Sequence, residues 1–216
     1  MNTSVIYKTN RKKDSRLSEQ VGMFMDEHFY SKLGEKWRRV TDGELQKRGV
    51  DVEFGNCNID EKVKVKDGYL NKILEYPSFE LSFVNRNLKR QNGWFIDGNS
   101  LTDYYAFISV YTDAKNEYSI ENDNISRLVV LFVKRTEIMK YVLENNIDLG
   151  KDIKELSSYE MGERIDHTGS GIHTKISMQF SEKPINMVVR REILRGLEST
   201  REFDIHKDFI EETCCG

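Results

Sequence analysis

The chain has 216 residues, 38% of them hydrophobic and 32% charged, with a formal net charge of −3. That length supports one sizeable core, and that balance excludes a disordered chain and a coat protein holding nucleic acid by bulk charge alone. No run approaches the ~18 apolar residues of a membrane span, the basic amino terminus lacks the apolar stretch of a signal peptide, and Cys57, Cys214 and Cys215 form neither a disulfide framework nor a zinc pattern, so a cytoplasmic protein without a membrane contact is expected.

Residues 1–14 read as a flexible arm. From 15 to 33, Leu17, Val21, Phe24, Met25, His28 and Phe29 recur at helical spacing, with Asp14 or Ser15 as cap and Gly34 as stop. Residues 35–48 are polar around Trp37 and have room for a second short helix. The pattern then switches to period two. Gly49 to Phe54 and Ile59 to Lys66 alternate around the turn cluster Gly55-Asn56-Cys57-Asn58, which predicts a β-hairpin. Ser78–Val84 and Tyr104–Tyr111 read as further strands. Arg127–Lys134, apolar from Leu128 to Val133, reads as a central one, followed by a helix over Thr136–Asn145. Ser157–Gly171 reads as a long loop, Thr174–Phe180 as a sixth strand, and Pro184 as the start of a last helix through Ile193. With only 2 prolines and no linker tract, one domain is expected over 15–216. Its fold class is α/β in the broad α+β sense, a mixed sheet flanked by helices.

The predicted hairpin places Asp51 near Asp60 across the ladder, and Lys62, two residues on, projects to the same face as Asp60. Two carboxylates on one face repel unless a cation lies between them. Mg²⁺ favours one or two carboxylates completed by water and phosphate oxygens. An ammonium beside such a site can stabilise charge building on a phosphate or position a water. Glu61 falls on the apolar side of its strand, as a buried structural acid or one turned outward by a bulge.

Gly49-Val50-Asp51-Val52 followed by Ile59-Asp60-Glu61-Lys62 resembles the PD-(D/E)xK, or restriction-endonuclease-like, nuclease superfamily. Its pattern is an acid at the end of one strand, a short gap, then Asp or Glu, any residue, and Lys on the next. The resemblance extends over about residues 15–135. It includes the helix and polar stretch ending Leu45-Gln46-Lys47-Arg48-Gly49 and the Phe79-Glu80-Leu81-Ser82, Gly93-Trp94-Phe95 and Thr102-Asp103-Tyr104-Tyr105 segments, which look like uncharacterised bacterial and phage members. Val50 stands where the family usually has Pro. Residues 136–216 carry no motif that can be placed. The resemblance implies a restriction-endonuclease-like sheet and hydrolysis of phosphodiester bonds, in DNA ahead of RNA. It implies Mg²⁺ (or Mn²⁺) held by Asp51 and Asp60, Lys62 as the third catalytic group, and a homodimer where both strands of a duplex are cut. An inactive descendant serving as an interaction or regulatory module is the alternative.

Glu80, flanked by Phe79 and Leu81 in a predicted strand, needs a partner; it either completes the metal site or pairs with a lysine such as Lys62. Glu19 and Glu27 on the first helix are weaker candidates for an extra carboxylate. His167 and His173 bracket a Gly-rich segment with no third ligand nearby and read as surface loop residues. Lys64-Val65-Lys66-Asp67-Gly68 has the wrong spacing for a ligase Lys-x-Asp-Gly, and Asp67-Gly68 reads as a turn. Trp94, Tyr104 and Tyr105 read as core or sheet-face aromatics ahead of base-stacking platforms.

Overall fold

A computed structural model describes residues 3–64, 70–158, 162–178 and 180–213. Two runs of β-branched and aromatic residues, β6 (Tyr104–Thr112) and β7 (Ile125–Lys134), lie antiparallel at its centre. Both are apolar on both faces because both faces are covered. Tyr105, Phe107, Leu131 and Val133 enter one core, and Ala106, Ile108, Leu128, Val130 and Phe132 enter the other. Around this pair runs a seven-stranded mixed sheet. It begins with β1 (Trp37–Arg39), β2 (Val52–Phe54) and β3 (Cys57–Val63), continues through β6 and β7, and ends with β11 (Arg201–His206) and β12 (Ile210–Thr213). Among the described residues only β3 and β6 pair in parallel.

One face packs on α1 (Thr3–His28), whose Val21, Phe24, Met25 and the following Phe29 are buried. The other face packs on a five-stranded antiparallel sheet. Its order is β5 (Arg90–Asn92), β4 (Ser78–Val84), β10 (Ile185–Val189), β9 (Ile172–Ile176) and β8 (Arg164–His167). Leu149 and Leu156 of α4 (Leu149–Leu156) and Ile138 and Val142 of α3 (Arg135–Glu144) join that core. The class is therefore α+β, with a mixed central sheet and helices against it, as expected, and with a second sheet closing the far side.

Several local expectations are corrected. The helix expected over 15–33 starts at Thr3 and so runs through the segment read as an arm and past the start expected at Asp14 or Ser15; nothing in that Lys/Arg-rich, Pro-free run bars a helix. It ends at His28, and a 3₁₀ turn (Tyr30–Lys32) leads to Gly34 at φ +74°. Pro184 does not open a helix. Ile185, Met187, Val188 and Val189 are buried in β10, where β-branched side chains fit a covered sheet, and only the short α5 (Arg191–Arg195) follows. The expected loop before Gly171 contains β8, and the sixth expected strand is Ile172–Ile176. The turn at Asp67-Gly68 lies outside the described residues. Among the described residues no helix is long and apolar enough to cross a membrane.

Candidate active site

Local structure delivers Asp51 to its place. Asp42 caps α2 (Gly43–Lys47), its carboxylate accepting from the Glu44 and Leu45 amides. The helix ends in a Schellman turn: Val50 N–H bonds the Leu45 carbonyl and Gly49 N–H the Gln46 carbonyl, with Gly49 at φ +78°. A Cβ on Gly49 would overlap the Thr102 hydroxyl, which donates to the Gly49 carbonyl at 2.8 Å, and would press on Asp60 Oδ2. The chain then enters the hairpin. Asp51 N–H bonds the Ile59 carbonyl and the Asp51 carbonyl accepts from Val40 N–H. The ladder Val52↔Ile59, Glu53↔Asn58, Phe54↔Cys57 therefore sets Asp51 opposite Asp60.

The two faces of β3 separate its acids. Asp60 and Lys62 pair in register with Tyr105 and Phe107, on the side of the inter-sheet core, while Ile59 and Glu61 face α1. Asp60 is 3% exposed. Lys62 Nζ lies 2.6 Å from Asp60 Oδ1 and 4.4 Å from the centroid of the Trp94 ring. Among the described residues, no hydrogen-bond donor reaches the buried Asp60 Oδ2. Asp51 Oδ2 accepts the Glu61 N–H at 2.8 Å. Burial first, then the Asp60 charge, push the Asp51 carboxyl up to about 6, against the pull of Lys62 and the Glu61 amide. These groups, with Gly49, Gln46, Lys47, Trp94 and the Glu19–Asp26 flank of α1, line a cleft of about 700 Å³.

Glu61 and Arg39 line the same cleft, but Glu61 has its own set of partners. Its side chain accepts from Arg39 Nη1 at 2.7 Å and from the Tyr30 hydroxyl at 3.0 Å, and Arg39 in turn binds Asp26 at 2.7 Å. Burial pushes Glu61 up, while Arg39 and Tyr30 hold it down. Asp26 and Tyr30 were not singled out in the sequence, and Arg39 stood out only as one of the basic cluster Lys36, Arg38 and Arg39. The signal that could have found them is Glu61 itself, an acid on an apolar face that requires a cation from the packing helix or the neighbouring strand.

Glu80 sits in β4. Burial pushes its carboxyl up and the Lys62 charge pulls it down, but the short contact of Lys62 goes to Asp60, and Glu80 does not line the cleft with Asp51. Glu19 lines the cleft. Glu27 instead accepts from the Asn122 amide. Trp94 and Tyr105 pack together with Phe79 and Phe95, as core aromatics do. The two histidines are not on a loop: Asp166↔His173 and His167↔Ile172 pair across the β8–β9 hairpin. His167 Nε2 lies 2.8 Å from the buried Asp152 of α4, which also accepts from Thr174 Oγ1 at 2.6 Å. That cluster pins α4 to the hairpin.

Among the described residues no group of three or more His, Cys, Asp or Glu side chains is arranged to hold a metal. The two facing carboxylates nevertheless suit Mg²⁺, which takes few protein ligands and keeps water, and the donorless Asp60 oxygen is an acceptor lacking a partner. No family model, no curated protein and no solved structure matches the chain.

Proposed function

We propose that this chain is a metal-dependent nuclease of the PD-(D/E)xK type, hydrolysing phosphodiester bonds of nucleic acid, DNA ahead of RNA, in the cytoplasm. The observation that carries the reading is the buried Asp60 oxygen without a donor, facing Asp51 and flanked by Lys62 in one cleft. Asp51 and Asp60 would hold Mg²⁺ or Mn²⁺. Bound there, the metal would polarise a phosphoryl oxygen and make a water acidic enough to attack at neutral pH. Lys62 brings an ammonium to the same point, held over Trp94, where it stabilises charge developing on the scissile phosphate. The Schellman turn and the Val40 and Ile59 backbone bonds fix Asp51, so the pair is preorganised.

A specific observation favours a second reading, an inactive module. Lys62 on Asp60 and the Glu61 amide on Asp51 already neutralise part of the acid pair without a metal. The test is cleavage of linear, circular, single-stranded and branched DNA and of RNA with Mg²⁺ or Mn²⁺, run beside thermal melts. Cleavage lost in Asp51→Asn and Asp60→Asn supports the nuclease. No cleavage of any substrate, with no metal-induced rise in melting temperature, leaves the module.

A further inference from the structure

A larger groove, of about 980 Å³, opens between the outer face of β8, β9 and β10 and a wall made by α1 and the end of β3. Ser18 and Val63 line both this groove and the acidic cleft, so the two are continuous. Although the chain carries net negative charge, four Lys or Arg residues line the groove against two acids, Glu117 and Asp166. Alternation along β9 turns His173 and Lys175 outward. Arg164 binds Asp166 and Arg190 binds Glu192 at the margins. Burial lowers the Lys175 pKa, and Lys64 and Arg164 lower it further; His173 is lowered by burial, then by Arg164 and Lys175. Lys64, Arg164, His173 and Lys175 thus lie close enough to feel one another's charge, which makes this stretch of the groove locally positive.

The groove is also aromatic. Among the described residues four aromatic side chains are strongly exposed, Tyr76, Tyr118, Phe180 and Phe209, and three of them, all but Phe209, line it. Exposed rings beside a run of cations match a single strand, whose unstacked bases offer flat faces; a duplex offers phosphates and groove edges and gives such rings nothing to stack on.

We propose that this groove binds an unpaired DNA strand, its bases stacking on Tyr76, Tyr118 and Phe180 and its phosphates held by Arg164, Lys175 and Arg190, and feeds it to the Asp51–Asp60 cleft. The last clause and the choice of DNA over RNA rest on the nuclease reading of that cleft; the binding of a single strand does not. The test is fluorescence anisotropy in EDTA, where no cleavage can occur, with labelled oligo-dT, oligo-rU and a duplex of equal length. Oligo-dT binds at least tenfold more tightly than the duplex. Tyr76→Ala and Phe180→Ala each weaken it about tenfold with the salt slope unchanged, and Tyr76→Phe and Phe180→Tyr retain affinity. Arg164→Gln with Lys175→Gln flattens the salt slope by about 1.4. All four substituted side chains line the groove surface, and circular dichroism checks that each variant is folded. Duplex binding as tight as oligo-dT, tighter binding of oligo-rU, or indifference to the aromatic variants overturns the proposal. Metal-dependent cleavage without these binding effects refutes the groove and leaves the nuclease. Binding without cleavage on any substrate does the reverse.

Discussion

Glu61 and Asp60 are neighbours in sequence and opposites in circumstance. On the α1 face, Glu61 receives two guanidinium contacts from Arg39 and the Tyr30 hydroxyl, and Arg39 is itself fixed by Asp26. On the inter-sheet face, Asp60 has one cation on one oxygen, no donor on the other among the described residues, and a second acid opposite. Both acids are buried, so burial alone does not separate structure from function. The donors do: a buried acid with its full complement holds elements together, and one left half-satisfied beside a like charge is set up for a ligand.

The sharpest way to break this comparison is to remove one donor from each face. On the nuclease reading, Lys62→Ala lowers kcat/KM by about 10²–10³-fold, the scale of removing a donor aimed at transition-state charge. It also costs stability of about 1–2 kcal/mol, because Asp60 loses its cation. With its side chain 29% exposed and set against a carboxylate 4% exposed, Lys62 is not a solvated surface lysine whose loss leaves folding unchanged. Tyr30→Phe, on the other face, leaves cleavage rates unchanged and costs about 1 kcal/mol. Steady-state cleavage and thermal melts read both, and equal activity losses would erase the distinction.

Next in size is Arg39→Ala. It strips Asp26 and Glu61 together and costs about 3 kcal/mol, lowering the melting temperature by about 6–12 °C. Arg39→Met with Glu61→Gln recovers the part of that loss due to Glu61, since Asp26, the more exposed of the two acids, is then the one left without its cation. A double variant as unstable as the single one would mean that Arg39 acts through something other than Glu61. Gly49→Ala follows. Its positive φ costs about 1–2 kcal/mol, and the added methyl meets the Thr102 hydroxyl. Because Gly49 aims Asp51, cleavage falls with stability, whereas Gly98→Ala, with nothing within 4 Å of its Cβ, leaves both unchanged.

What the sequence made legible was periodic or local. The hairpin, the register that opposes Asp51 to Asp60, the continuously apolar β7 and the helix after it all followed from spacing. What it hid was tertiary. Nothing local distinguishes Ile185–Val189 as a strand from a helix of the same apolar content after a proline; its pairing with β4 and β9 decides it. Pairing with β7 likewise places Arg201–His206 in the sheet, where no strand was expected. Arg39 lies 22 residues from Glu61, so its bond is invisible without the fold. His167 looked like a loop residue because its partner Asp152 sits on another element, 15 residues away.

The last expected effect is the most specific to the acid pair. Burial and Asp60 raise the Asp51 carboxyl to about 6 from an unperturbed value of 3.8. Below pH 3.8 the group is protonated whether the chain is folded or not, and contributes nothing. As pH rises from 3.8 towards 6 the unfolded chain ionises first, so folding stability falls; above 6 the loss is complete and constant. In Asp51→Asn that step is absent. The amide oxygen still accepts from Glu61 N–H, and the new N–H₂ faces the carboxylate that lacked a donor. Melting curves in EDTA should therefore separate between pH 4 and 6, the variant ending more stable at pH 7 by up to about 3 kcal/mol, or about 6–12 °C. Saturating Mg²⁺ raises the wild-type melting temperature at pH 7 and leaves the variant's nearly unmoved, reversing their order. Parallel curves in EDTA would show that Asp51 and Asp60 do not repel. Equal metal shifts in the two proteins would remove Asp51 as a ligand, and the two faces of β3 would then differ only in how tightly they are packed.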